Sequence, residues 1–458
     1  MLFLHIFLVK NIIFDDFFIW KFDNIFICGK ILAFSYIEIM GDKLLINGGR
    51  KLFGEIRVEG AKNGILPILA GVVLCDGEIE LENCVDISDV RCMREILKLL
   101  NISTFDAGST LYINTKDIKN EKITHDLTQK VRASIFLMGA LLGRFRKVSI
   151  AFPGGCKIGA RPIDIHLKGL KTLGVKIVER HGYIYCNASD IKSGEVVLDF
   201  PSVGATESLM MCACLVKGKT KLFGVAKEPE IVCLQDFLNK MGAKISGAGT
   251  DCIEIVGVKK LHGGRFKVIP DRIVAGTYLL AVATCGGDVT VKGALAKHNE
   301  ALISFLKQTA CQIDVFSDKI RLKADKRLLS IDKIQTLPYP FFPTDLQPQM
   351  MVLQSVSNGS SAIQENIFES RFALVPELNK MGANIVVKDR TAFVKGVEKL
   401  YGADVSASDL RAGAGLVIAG MKAEGYTTIS NVQYVDRGYE EIEKKFSSLG
   451  ADIKRKRD

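Results

Sequence analysis

An α/β chain of two lobes, each holding three copies of one helix-and-strand unit, is what this 458-residue sequence predicts. Three observations lead there. A short phrase recurs six times at near-constant spacing, helical and strand patterns alternate within each copy, and the first helix of the unit is apolar on every side.

The phrase runs Leu or Phe, two residues, a hydrophobic residue, Gly, two residues, Ile. Clear copies are "LKTLGVKI" from Leu170, "LNKMGAKI" from Leu238, "LNKMGANI" from Leu378 and "FSSLGADI" from Phe446, with weaker ones from Leu97 and Leu306. Successive starts lie 73, 68, 68, 72 and 68 residues apart, so six units fill the chain after Met40. The third unit shows the internal order best. "SVGATESLMMCACLV" reads as a helix apolar all round, and so buried. "KGKTKLFGV" is a Gly-led turn and strand, and "EIVCLQDFLNKMG" an amphipathic helix facing solvent and closed by Gly242. "AKISGAGTDCIEIVG" completes the unit as a β-hairpin. Buried helices inside a shell of sheets and outer helices follow, three units to a lobe.

The starts of the six buried helices carry polar residues at one repeated place. In order they hold Lys62 and Asn63, Arg132, Ser202 and Gly204, Arg272, Asp345, and Arg411. Ser202, Thr344 and Asp409 suit helix caps, and a cap shared with Thr344 is also the plain structural reading of Asp345. Capping does not account for four cations at the positive end of a helix dipole; those call for an anion.

Composition narrows the class. With 48% hydrophobic and 24% charged residues the chain is ordinary globular protein, and its +10 charge is dispersed except at Lys454 to Arg457. No aromatic-interleaved basic motif marks a nucleic-acid binder. Twelve cysteines occur without a CxxC pair, and the six histidines show no metal-ligand spacing with them, a pattern that fits a reducing cytoplasm and no metal site. Residues 1–39 are Phe-rich, but Lys10, Asp15, Asp16, Lys21 and Asp23 interrupt them before a membrane span accumulates. They are expected to be disordered or untranslated, with the fold entered from Met40.

"FPGGCKIGARPIDIH", residues 152–166, stands apart. Paired glycines give the loop freedom to move, while Lys157 and Arg161 favour the thiolate of Cys156. The stretch reads as a mobile loop carrying a reactive thiol into a cationic site.

Taken in order with "GAKNGILPIL", "VRASIFLMG", "DFPSVGAT", "KEPEIV", "PDRIVAGTYL", "FPTDLQPQ", "ENIFESRF" and "DLRAGAGLVIAG", this loop resembles the UDP-N-acetylglucosamine 1-carboxyvinyltransferase family of enolpyruvyl transferases over about residues 43–454. The resemblance implies a two-lobed inside-out α/β barrel of six βαβαββ repeats. One lobe would span 62–269 and the other 40–61 plus 270–458, with the Cys156 loop as a lid. It also implies transfer of enolpyruvate from phosphoenolpyruvate (PEP) to the 3-hydroxyl of UDP-N-acetylglucosamine. Arginines and helix ends supply the positive potential, so no cofactor is expected, nor membrane insertion; a monomer is the expected assembly, which the sequence does not fix.

Residue roles follow from the same resemblance. Cys156 would give a proton to PEP, add to it covalently, and be the target of fosfomycin; Asp345 would be the general base, with Lys62 also catalytic. Lys62, Asn63, Arg161 and Arg411 would hold PEP. The nucleotide sugar would meet Asn63, Arg132, Arg161, Pro162, Ile163, Asp164, Ile165, Ser202, Val203, Gly204, Asp345 and Ile367. Arg371 of "ESRF" joins the cationic set, for each member of which a surface salt bridge is the plain alternative. Two departures stand out: Phe200-Pro201 replaces a lysine of some relatives, and Val274 replaces a glutamate, leaving Arg272 short of an ion pair. Rival readings are the related 3-phosphoshikimate 1-carboxyvinyltransferase, whose PGSKS-like first motif is absent, and a non-enzymatic basic anion-binding protein.

Overall fold

The computed structural model describes residues 19–22, 25–28, 41–154, 158–159 and 162–457. Cys156, Lys157 and Arg161 lie outside the described residues, as does most of the stretch before Gly41, where Ile19–Phe22 and Ile25–Cys28 pair as an antiparallel ribbon.

Six helices form the interior: α1 (Lys62–Gly71), α2 (Phe136–Phe145), α3 (Val203–Ala213), α4 (Arg272–Cys285), α5 (Gln347–Val356) and α6 (Leu410–Lys422). Their all-round apolar sequences have the predicted consequence, for every residue of α4 and α5 is buried. Helices apolar on all sides can approach closely where a side chain is missing. A Cβ at Gly139 of α2 would stand 2.1 Å from the carbonyl oxygen of Ser208 in α3, so glycine there sets the α2–α3 contact.

Each interior helix sits beneath a sheet of one recurring order. In the third unit Glu195–Val197 runs parallel to Lys219–Phe223, which pairs antiparallel with Cys252–Val256, which pairs antiparallel with Ile245–Ser246. Four other sheets repeat that order with four strands. In the remaining one, Lys147–Ala151 with its hairpin, Ile123 alone makes the parallel bridge to Ile150. The outer helix of the third unit, Pro229–Lys240, buries Ile231, Leu234, Phe237 and Leu238 and exposes Asp236 and Lys240, as its amphipathic pattern predicts.

The ends of the chain close the last sheet: Lys43–Asn47 lies between Tyr426–Ser430 and Asp452–Lys456. Buried apolar side chains fall into two clusters, one drawn from Ile65 to Val268, the other from Leu44 to Val58 and Ile273 to Ile453. Each cluster is closed by strands from its own two ends. Leu52–Arg57 completes a sheet with Gly287–Lys292, and Leu261–Lys267 completes one with Cys75–Glu82. The two connecting segments therefore run side by side: Ala61 N–H donates to Ile269 C=O at 2.8 Å and Asp271 N–H to Glu59 C=O at 2.9 Å. That crossing places the start of α1 beside the start of α4.

Candidate active site at the helix starts

Asp271 caps α4, its Oδ1 accepting from the N–H groups of Ile273 and Val274, while its Oδ2 accepts the N–H of Lys62 at 2.9 Å. One carboxylate thus fixes the starts of two helices. The Lys62 side chain, 9% exposed, reaches Asp89 Oδ2 at 2.9 Å. Arg437 grips the same carboxylate, with Nε 2.9 Å from Oδ1. Burial pushes the Lys62 ammonium below its usual range against the pull of Asp89, and Arg411 and Arg437 add to the fall. Burial acts on Asp89 in the opposite sense, but Lys62 and Arg437 outweigh it and hold the carboxyl below its usual range.

Asp345 is the second shared carboxylate. It lies in a 3-10 turn, Thr344–Leu346, just before α5, with Arg371 Nη2 at 2.6 Å from Oδ1 and Arg411 Nη2 at 3.0 Å from Oδ2. Both guanidinium groups are buried, at 2% and 3% exposed, while the Asp345 side chain remains about a quarter open at 26%. Burial alone would raise the Asp345 carboxyl; Arg411, then Arg371 and Lys62, hold it well below the usual carboxylate range. Arg371 is steadied by Nε and Nη2 bonds to Thr344 C=O, at 3.3 and 3.2 Å. Arg411 Nη1 donates to the Tyr439 hydroxyl at 3.2 Å.

A third group gathers around His166. Arg132 opens a 3-10 turn, Arg132–Ile135, ahead of α2, and its charge together with burial depresses His166 to about 3, burial being the larger cause. The imidazole packs on Gly204, where a Cβ would meet it at 3.1 Å. Ser202 caps α3 by accepting the N–H of Ala205 at 3.3 Å, and Val203 opens that helix. Asp164 begins the neighbouring helix Asp164–Thr172, with Pro162 exposed, Ile163 buried and Ile165 half-buried before and within its first turn. Arg132, residues 162–166 and residues 202–204 are therefore one neighbourhood. Asn63, half-buried, is the second residue of α1, and Ile367 donates its N–H to Glu365 Oε1 at 2.8 Å. The Gly-rich loop touches the opposite cluster beside Ile367: Ser370 N–H donates to Ile158 C=O at 3.1 Å.

Four readings need correction. Thr344 and Asp345 are not helix caps: Thr344 donates its hydroxyl to Glu365 at 3.0 Å, and the Asp345 carboxylate is taken by two guanidinium groups. Lys62, Arg371 and Arg411 are themselves buried, so the surface salt bridge is excluded for them. Arg272 does not lack an ion pair, since Glu230 of "KEPEIV" supplies one at 3.0 Å in place of the residue at Val274. Arg132 and Asp345 stand in 3-10 turns one step before their helices rather than within the first helical turn.

Sequence reasoning missed Asp89, Arg437, Tyr439 and Glu230. Asp89 and Glu230 open outer helices, Ser88–Leu99 and Pro229–Lys240, and Arg437 ends the 3-10 turn Val432–Arg437. The repeated position that flagged the cations lies on the buried helices. A usable signal was "VDRGYE", an arginine and a tyrosine two residues apart in a stretch of otherwise outer-surface character.

Residues 46–446 match the family model for EPSP synthase (3-phosphoshikimate 1-carboxyvinyltransferase). The chain is 51% identical over 413 residues to UDP-N-acetylglucosamine 1-carboxyvinyltransferase 2 of Caldanaerobacter subterraneus, covering 90% of this chain and 99% of that one. It is 48% identical to the UDP-N-acetylglucosamine 1-carboxyvinyltransferase of Desulforapulum autotrophicum, with the same shares covered. Among solved structures it superposes on the enolpyruvyl transferase NikO of Streptomyces tendae with a TM-score of 0.82 at 23% identity, covering 92% of this chain and 100% of that one. The EPSP synthase of Acinetobacter baumannii gives 0.71 at 17%, with 91% and 100% covered. These two likenesses establish the two-lobed enolpyruvyl transferase fold.

Proposed function

The chain belongs to the UDP-N-acetylglucosamine 1-carboxyvinyltransferase family of enolpyruvyl transferases, and from that premise we propose that it moves the enolpyruvyl group of PEP to the 3-hydroxyl of UDP-N-acetylglucosamine. This is the first committed step of peptidoglycan synthesis. The observation that carries the reading to the site is the pair of shared carboxylates, Asp89 under Lys62 and Arg437, and Asp345 under Arg371 and Arg411. Each holds two cations in place for a substrate bearing a phosphate and a carboxylate, groups whose oxygens guanidinium forks match.

The reaction proceeds by addition and elimination. The sugar oxygen bonds to C2 of PEP as its proton leaves, and a proton is delivered to the methylene carbon C3. A proton then departs from C3, the C2–O bond to phosphate breaks, and the enolpyruvyl ether and inorganic phosphate remain. Cys156 serves as donor to C3, and Asp345 receives the hydroxyl proton. A carboxylate neutralised by two guanidinium groups is a weak base. Substrate anions that draw hydrogen bonds from Arg411 and Arg371 strengthen it at the moment both substrates are present. Lys62, Asn63, Arg161, Arg411 and Arg437 hold PEP. Arg132, Arg161, residues 162–165, residues 202–204 and Ile367 line the path of the nucleotide sugar, with Asn63 and Asp345 at the junction. The lobes divide at 61/62 and 269/270, where the two connecting segments run side by side. The working unit is a monomer in the cytoplasm; no helix among the described residues is long and apolar enough to cross a membrane.

The test is inorganic phosphate release by protein beginning at Met40, given PEP with either UDP-N-acetylglucosamine or shikimate 3-phosphate. Release with the UDP-sugar alone, abolished by Cys156→Ser, is the expected result. Release with shikimate 3-phosphate transfers the chain to the rival acceptor, and full activity of Cys156→Ser removes the cysteine from the mechanism.

A further inference from the structure

We propose that Tyr439 is a positioning residue of this reaction, its hydroxyl fixing the Arg411 guanidinium against Asp345; the inference rests on the reading of those two residues given above. Tyr439 is 3% exposed and lies two residues beyond the 3-10 turn Val432–Arg437. Its hydroxyl stands 2.8 Å from Thr277 Oγ1, 3.2 Å from Gln349 Nε2 and 3.2 Å from Arg411 Nη1. Those three partners come from α4, α5 and α6, so one oxygen ties together the buried helices of the second lobe.

The protons can be assigned. Thr277 has a single hydroxyl proton, and that goes to Ile273 C=O at 2.8 Å. The Gln349 amide donates to Thr277 at 3.0 Å and to Tyr439. Tyr439 therefore donates to Thr277, which leaves it two acceptor sites, filled by Gln349 and Arg411. A phenol with its proton committed elsewhere offers Arg411 only a lone pair. The ring adds to the hold, its centroid 5.6 Å from the guanidinium carbon. Arg411 is thus fixed at Nη1 by Tyr439 and at Nη2 by Asp345.

A merely structural hub and a positioning hub differ in what reaches Asp345. The charged groups facing that carboxylate are Arg411, Arg371 and Lys62, with Arg272 further off. Freeing one end of Arg411 weakens the largest attraction on the carboxylate, so the acid limb of the pH–rate profile moves to higher pH. Tyr439→Phe keeps the ring and removes the hydroxyl. Thr277→Val removes the acceptor of the tyrosine proton, which then turns toward Arg411 and disturbs it from the other side.

The experiment measures kcat, KM for PEP and the pH profile of kcat/KM for wild type and both variants, beside their melting curves. Expected are cooperative melting, a fall in kcat/KM of about tenfold to a hundredfold, and an acid limb displaced upward in both variants. Wild-type kinetics in both, or a loss with the acid limb unmoved, overturns the positioning role while leaving the enzymatic reading intact. A wild type that releases no phosphate from PEP and UDP-N-acetylglucosamine overturns both.

Discussion

Glu207→Gln should stabilise the protein increasingly as pH rises. Glu207 lies in α3 with no exposed surface, and neither carboxyl oxygen has a hydrogen-bond partner among the described residues. Burial, reinforced by Glu230 and Glu228, pushes its carboxyl well above the ordinary range. The folded chain therefore keeps a proton that the unfolded chain releases near pH ~4.3. Above that value the folded state binds one proton more than the unfolded state, so stability falls with pH. The slope is ~1.4 kcal/mol per pH unit until the folded carboxyl itself ionises.

Glutamine has the same shape and does not titrate. Whatever constant cost its buried amide carries drops out of the slope. For a lobe of roughly 200 residues, ~1.4 kcal/mol corresponds to about 3–5 °C in melting temperature. Scanning calorimetry of both proteins at several values rising from about pH 5 should therefore show their melting temperatures diverging by about 3–5 °C per unit for as long as the folded carboxyl keeps its proton. A gap that stays constant with pH would refute the reasoning, because Glu207 would then titrate alike in the folded and unfolded chains.

Two further outcomes test the site and the thiols. Asp89→Asn leaves the buried Lys62 and the half-buried Arg437 without their common carboxylate; a loss of about 3–5 kcal/mol is expected, read as a fall in melting temperature of roughly 10 °C, and a fall below about 2 °C would mean the pairs contribute nothing net. Burial pushes the thiols of Cys75, Cys186, Cys212, Cys233 and Cys285 up to about 12, so fosfomycin at neutral pH should leave all five unmodified in peptide mass maps while adding to Cys156, and an adduct on any of the five contradicts their assigned inertness.

Local regularities were legible and cross-chain pairings were not. The six units could be read because each repeats its own periodicity: an all-round apolar helix such as 203–213 and an amphipathic one such as 229–240 are distinguishable within a dozen residues. Lys62, Asp345 and Arg411 could be picked out because a charge at the start of an apolar helix breaks a pattern. Asp89 could not, since an aspartate opening an amphipathic surface helix is ordinary. Only the packing of that helix against Arg437, 348 residues away in the chain, makes it part of the site. Tyr439 is hidden for the same reason, as its partners Thr277, Gln349 and Arg411 lie on three different helices. The mistaken cap at Thr344 came from judging a hydroxyl by its sequence neighbours, when Glu365 on a distant segment claims it.

The cations at the helix starts posed an anion problem that the protein answers with its own carboxylates. Lys62 and Arg437 share Asp89, and Arg371 and Arg411 share Asp345. Sharing matters physically. A buried cation with a full carboxylate of its own would have little left to offer a substrate, and one with none would be costly to bury. Even with Asp409 a further 3.7 Å from Arg371, two cations on one close carboxylate remain fixed in direction and only partly neutralised, the preorganised condition in which a phosphate or carboxylate gains most on arrival. On the reaction proposed above, the same sharing would keep Asp345 a poor base until substrate comes. On that proposal, binding of the donor's anions and activation of the acceptor's hydroxyl would both depend on the one redistribution of hydrogen bonds around Arg371 and Arg411. The proposed reaction would thus link its two halves through side chains that also hold one another in place.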